Sequence, residues 1–319
     1  MTETIVSRQT GEKCLHVQHK SGLEIYIMEM EGYRSSFALF GTKYGSINTR
    51  FRLRGETDYA EVPEGIAHYL EHKLFENEDC DAFAKYARTG ANANAYTSFD
   101  RTAYLFGCSE HFAESLEILL SFVQEPYFTA ENVEKEQGII AQEIRMNDDE
   151  PGWRVFFNML KAMYHVHPVR IDIAGTVESI RQINADLLYR CYNTFYNLHN
   201  MVLSVAGNVK ADEVLAICDR LLKPCEDMGL EEVFAEEPDT IVQPYVEAHL
   251  QVGAPLFNLG FKLRPMEGKE LLRAELMSSI LLEAILGPST KLYTGMLEEG
   301  LINSEFDTDS PFTGSGFFC

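Results

Sequence analysis

Residues 65–75, GIAHYLEHKLF, form the first helical signal in the chain, entered through Pro63. A proline near a helix start costs little, because its missing N–H would have no partner there in any case. Two segments before it alternate at period two and read as strands, Leu23–Met30 and Tyr33–Tyr44. After it, Asp81–Arg88 reads as a second short helix, and Gly90–Ser98 as a turn running into a strand. Arg101–Gly107 returns as its hairpin partner. Helical patterning then dominates, over His111–Phe122, Thr129–Met146, Gly152–Tyr164 and Asn184–Tyr196, the last beginning at the N-cap residue Asn184. Asn200–Gly207 is an apolar strand, and Ala211–Leu222 is a closing helix. This order predicts an α+β fold with an antiparallel or mixed sheet and helices packed on one face.

The predicted domain division is 1–223 for this unit, an acidic, poorly periodic linker at 224–244, and a further unit at 245–319. Tyr245–Gln251 and Leu256–Leu263 read as strands, Lys269–Leu286 as an amphipathic helix, and Ser289–Glu298 as another. That repeats the opening order of the first unit, so a duplicated fold is expected. Fewer than 80 residues follow the linker, and the chain stops at Cys319 where a strand should be running. The expectation is therefore a second copy cut short at its C-terminal side.

Composition bounds the function. The 319 residues suggest about two domains. With 45% hydrophobic and 24% charged residues the chain is an ordinary globular one, not a disordered or fibrous one. A net charge of −22 argues against a nucleic-acid binder, which needs a basic surface. The excess carboxylates could attract basic peptides, but they read first as solvating surface. Seven widely spaced cysteines without a CxxC imply reduced thiols rather than a disulfide framework or a thiolate zinc site. No signal peptide and no bilayer-spanning stretch is apparent, so a soluble, cytoplasmic protein with no membrane association is expected.

The chemistry lies in His68-Tyr69-Leu70-Glu71-His72. His68 and His72 are one helical turn apart and project from one face, as needed to hold one metal ion. Glu71 sits beside them, within reach of a water on that metal. The plain alternative is two surface histidines on a solvated helix. A third ligand is required, with an open position if the site is catalytic. Glu136 and Glu143, seven residues apart on a predicted helix, share a face. Alone, such an acidic helix is more often solvent-facing; the histidine motif upstream reverses that. Weaker signals are His165 and His167, which would share a face only on a strand, and Trp153 with Phe156-Phe157, which read as helix core. Gly207-Asn208 is turn chemistry, and no P-loop or dinucleotide fingerprint is present.

HYLEH at 68–72 followed by the E-x6-E of 136–143 resembles the inverzincins of the pitrilysin/insulinase family, which includes the mitochondrial processing peptidases. YGS at 44–46, GANANAYTSFDRTAY at 90–104, HP at 167–168, NMVLSVAGNV at 200–209 and KLYTGMLEEGLI at 291–302 fit in order. The resemblance covers nearly the whole chain and is closest to bacterial processing-peptidase-like members. It implies one zinc ion per chain held by His68, His72 and Glu143, with Glu71 the general base for the water on that zinc. Glu136 would be a supporting acid near the site. Asn94 and Ala95 match the edge strand on which family members lay a substrate backbone.

The resemblance implies a zinc metalloendopeptidase, a hydrolase of short or unstructured peptides working in a chamber closed by two similar halves. This chain would supply the catalytic half, as a homodimer or as a heterodimer with a related non-catalytic chain. Two other readings stand beside it. One is a maturation peptidase dedicated to a single peptide precursor. The other is a structural subunit, although such chains typically lose part of HxxEH and here every motif position stands. The family's late substrate-binding Arg and Tyr cannot be placed in this sequence.

Overall fold

The computed structural model of the chain describes residues 1–78, 80–310, 312–313 and 316–317. Its residues fall into two compact units, one made of 1–147 with 172–233 and one made of 148–171 with 234–319. The helical segment at 148–171 thus groups with the later part of the chain.

The strands of the first unit are β1 (Thr2–Val6), β2 (Lys13–Gln18), β3 (Glu24–Glu29), β4 (Ser36–Thr42), β5 (Arg50–Arg52), β6 (Ala60–Glu61), β7 (Asn92–Thr97), β8 (Thr102–Cys108), β9 (Met201–Gly207) and β10 (Glu231–Glu232). Seven form one sheet in the order β1-β2-β3-β9-β4-β8-β7, and β10-β5-β6 form a small second sheet. The large sheet is mixed. Only β3 and β9 run parallel, because β9 enters between β3 and β4 after a long helical crossover. Alternate residues face the core: Ile25 and Ile27, Ala38 and Phe40, Tyr104 and Phe106, Leu203 and Val205 are at most 1% exposed. Each large side chain so buried stabilises the fold by about 1.5–3 kcal/mol.

The helices are α1 (Ile66–Leu74), α2 (Ala82–Thr89), α3 (Phe112–Val123), α4 (Ala130–Asp149), α5 (Pro151–Met163), α6 (Val177–Ile180), α7 (Ala185–Phe195), α8 (Ala211–Leu221), α9 (Gly268–Leu286) and α10 (Lys291–Glu298). Those of the first unit cover the buried face of the sheet, with α3 against β4 and β8 and α8 against β3. Their starts follow local chemistry. Asp81 caps α2 by accepting from the Phe83 amide, and Asn184 caps α7 by accepting from Leu187. Helix α1 starts differently. Its N-cap, Gly65, has φ 86°, and a Cβ there would lie 2.2 Å from the Ala174 carbonyl oxygen. Only glycine permits that approach, which seats the start of α1 against the chain at 174–175.

β1 and β2 lie outside the strands expected from periodicity. Every residue of β1 is exposed at the sheet edge, so burial leaves no alternating pattern in its sequence.

The second unit departs further from expectation. Residues 245–251 and 256–263 form no strand among the described residues, although strands were expected there. Their alternation is real, but an extended segment becomes a strand only against a partner that completes its hydrogen bonds. Tyr245, Phe257 and Leu259 are instead 71%, 62% and 74% exposed. The helix expected at 269–286 is α9, and none of its residues is buried. Within the unit Glu237 and Lys262 form an ion pair, with side chains 9% and 6% exposed. Glu237 accepts from the backbone amides of His165, Val166 and His167, while Lys262 donates to the carbonyls of Met163, Pro238 and Thr240. The strand expected to be running at the chain's end is, where described, a two-residue pairing of Phe312–Thr313 with Gly316–Phe317; Phe318 and Cys319 lie outside the described residues.

Candidate metal centre

Helix α1 has two faces with different work. Ile66, Ala67, Tyr69, Leu70, Lys73 and Leu74 are buried, at the three-and-four spacing of a core stripe. His68, Glu71 and His72 occupy the remaining stripe and are half-buried. The Tyr69 hydroxyl donates to the Val133 carbonyl at the start of α4, which ties the two helices together. The tie brings Glu136 and Glu143, two turns apart on α4, opposite the histidines.

His68 Nε2 lies 3.5 Å from one oxygen of Glu143, and His72 Nε2 lies 3.4 Å from the other. These separations are long for a charged hydrogen bond. Each is close to the edge of a tetrahedron whose corners stand about 2.0–2.1 Å from a central zinc, roughly 3.3–3.4 Å, with the carboxylate offering one oxygen to each imidazole. One ligand atom from each of the three residues lies within 4.8 Å of the other two, the one such group of His, Cys, Asp or Glu among the described residues. His68 and His72 have their rings 4.6 Å apart.

Glu136 sets the protonation of one ring. His72 Nδ1 donates to Glu136 Oε1 at 3.0 Å, which leaves Nε2 with the lone pair a metal needs. His68 Nδ1 has no such support; it is buried without a hydrogen-bond partner. Burial pulls the His72 pKa down, but the Glu136 and Glu143 carboxylates outweigh it and push the pKa up to about 9. The two imidazoles in turn hold the Glu143 carboxyl well below the usual range, and Glu136 is lowered by His72 despite its burial. A site that favours a proton on His72 this strongly is a site of negative potential, suited to a divalent cation once the proton leaves. The His2Glu donor set, the Nε2–carboxylate spacings and the outer carboxylate all fit one zinc ion.

The other residues singled out in the sequence divide. Glu71 accepts a hydrogen bond from the Thr97 hydroxyl, Oγ1 to Oε2, at 2.7 Å. Asn94 and Ala95 lie on β7, an outer strand of the large sheet, so among the described residues one edge of their backbone carries no ladder. There the Ala95 amide donates to the Asn94 side-chain oxygen at 2.9 Å. His165 and His167 form no metal group; the His167 ring stacks on Phe234 at 5.6 Å. Trp153 and Phe156 pack around Phe157, which is buried. The residue that sequence reasoning passed over is Thr97. It stood inside the quoted stretch 90–104, but its contact depends on where the hairpin is docked.

A motif-borne His2Glu site on an α+β sheet defines a zinc metallopeptidase. Residues 55–177 match the family model described as "Insulinase (Peptidase family M16)", and residues 182–319 match "Peptidase M16 inactive domain". The two matches run in tandem, a duplicated architecture with a degenerate second copy. The uncharacterized zinc protease YmfH of Bacillus subtilis (strain 168) is 44% identical over 316 residues, covering 97% of this chain and 73% of that protein. The solved structure of an M16-like peptidase from Alicyclobacillus acidocaldarius superposes with a TM-score of 0.90 at 38% identity, over 100% of this chain and 73% of that one. The mitochondrial-processing peptidase subunit beta of Caenorhabditis elegans is 30% identical over 169 residues, 50% of this chain and 36% of that protein. The chain belongs to the insulinase family of peptidases, family M16. Its metal site is that of a zinc-dependent endopeptidase.

Proposed function

We propose that the chain hydrolyses short or unstructured peptides laid along β7, with Glu71 as the general base. The observation that carries this reading is the placement of Glu71. It lies on the ligand-bearing stripe of α1, and its carboxylate is bonded to the end of the sheet's edge strand.

Zinc, when bound by His68, His72 and Glu143, supplies Lewis acidity that polarises a scissile carbonyl and makes water more acidic. The protein's own groups do the rest. Glu71 takes a proton from the attacking water at Oε1, since Oε2 is held by Thr97, and passes it to the departing amine nitrogen. Glu136 holds the proton on His72 Nδ1 and keeps that ring turned. The free edge of β7 offers backbone donors and acceptors to an extended peptide, and the Ala95 amide can exchange the Asn94 side chain for a substrate carbonyl. Recognition through the backbone favours an extended shape over a particular sequence. A second half closing over this one, from a further copy or a related chain, would limit entry to chains that can thread and extend.

Methylating single backbone nitrogens of a cleaved peptide tests the strand-addition reading. Alternate positions should lose about tenfold or more in kcat/KM, since each methyl removes one edge hydrogen bond and introduces a clash. Equal tolerance at every position, or cleavage of a folded protein as fast as its unfolded form, would contradict it. Among the described residues no helix is long and apolar enough to cross a membrane.

A further inference from the structure

Resting on the reading of Glu71 as the base, we infer that Thr97 is a positioning residue for the reaction, fixing the Glu71 carboxylate from the edge strand rather than from its own helix. Thr97 ends β7 and is paired across the hairpin with Thr102, the first residue of β8. Its Oγ1 donates to Glu71 Oε2 at 2.7 Å, the length of a good hydroxyl–carboxylate bond. Thr102 is fully buried; its hydroxyl donates to the Tyr44 carbonyl at 2.8 Å and lies 3.3 Å from Thr97 Oγ1. A hydroxyl has one proton to give. Thr102 gives its proton to Tyr44, and Thr97 gives its own to the carboxylate.

The hairpin end that carries Thr97 is itself clamped. The Ser46 amide donates to Ser98 at 3.1 Å and the Ile47 amide to Phe99 at 3.0 Å. A Cβ on Gly45 would lie 2.4 Å from the Phe99 carbonyl oxygen, so the two loops touch backbone to backbone. The loop is braced in turn by the Gly45 amide, which donates to Asn48 Oδ1 at 2.6 Å. Thr97 is therefore placed by the sheet and by the 44–48 loop as well as by its bond to α1. With Oε2 held from that side, Oε1 is the oxygen presented for proton transfer. The anchor sits three residues along β7 from Asn94, so the strand proposed to receive the peptide also orients the base that acts on it.

The test compares Thr97→Val, which keeps the shape and deletes the hydroxyl, with Thr97→Ser, which restores it, beside Glu71→Gln and the Thr97→Val/Glu71→Gln double variant. All are assayed on one peptide, with the zinc Kd measured by chelator competition and the metal-free melting temperature by circular dichroism. Displacing a reacting group by about 1 Å costs on the order of a hundredfold, so Thr97→Val should lose about tenfold to a hundredfold in kcat. KM and zinc Kd should stay within about twofold. Thr97→Ser should recover most of the rate, and the double variant should be no slower than Glu71→Gln alone. Wild-type kcat in Thr97→Val with a dead Glu71→Gln would overturn the positioning role and leave the base assignment standing. Full activity in Glu71→Gln would instead overturn the reading on which it rests. A tenfold weaker zinc Kd in Thr97→Val, or a collapsed fold that Thr97→Ser does not restore, would also overturn the proposal by assigning the hydroxyl to the scaffold.

Discussion

Helix α1 buries six of its nine residues, whereas α9, twice as long and also amphipathic in sequence, buries none of its nineteen. Both have the apolar spacing of a core-facing helix. What separates them is the surface opposite. α1 meets β7, β8 and α7 and is bonded through Tyr69 to α4, so its other stripe is held still enough to aim three polar side chains. On α9, Leu272, Leu276, Met277, Ile280 and Leu281 are each more than half exposed. Amphipathicity proposes a buried face; only a partner surface makes one, and precise chemistry follows the partner.

The largest effect of a single substitution should come at the metal. His68→Ala should weaken zinc binding by on the order of a hundredfold or more, since even an outer partner of a ligand is worth 10–100-fold. Metal titration by chelator competition reads this directly, and an unchanged Kd would remove His68 from the ligand set. A paired truncation sharpens the contrast of the helices. Leu70→Ala on α1 should cost about 2–5 kcal/mol, through lost burial and the cavity left behind. Leu276→Ala on α9 should stay within about 0.5 kcal/mol. Urea unfolding followed by circular dichroism separates these values; similar costs would mean that α9 has a packing partner in solution.

The last prediction concerns the Glu237 latch. Burial works against its charged form, but Lys262 and the three backbone amides more than offset it and bring the pKa down to about 2. A folded-state pKa below the unfolded value of about 4.3 gives stability that is present above that unfolded value. It is lost as pH falls toward the folded pKa, and amounts to roughly 3 kcal/mol in full. Hydrogen-exchange protection of the His165, Val166 and His167 amides, corrected for intrinsic rates, should therefore decline between about pH 4 and pH 2. In Glu237→Gln that decline should be absent, and protection should be low throughout. A pH-independent wild-type latch would contradict the assignment.

Much of this was readable from residues alone where the cause is local. Asn184 announces its helix because an N-cap acts within three residues. His68 and His72 share a face because the helical period places them there, and the same arithmetic aligns Glu136 with Glu143. β1 was not readable, since an exposed edge strand needs no apolar alternation. Nor was the lack of strands at 245–251 and 256–263 among the described residues, because alternation reports a strand's faces but not its neighbours. Thr97 was hidden for a third reason. Its bond to Glu71 spans 26 positions and depends on hairpin register and on the 44–48 loop, neither of which leaves a short-range signature.

A zinc site with Glu71 beside it should cleave peptide bonds. Its most direct test is the hydrolysis of a mixed panel of unstructured peptides by the zinc-loaded chain and by Glu71→Gln, with zinc content measured in both. Cleavage is expected from the first, with a loss of at least about a hundredfold in the second and equal zinc in each. Undiminished cleavage by Glu71→Gln with its zinc in place would contradict it.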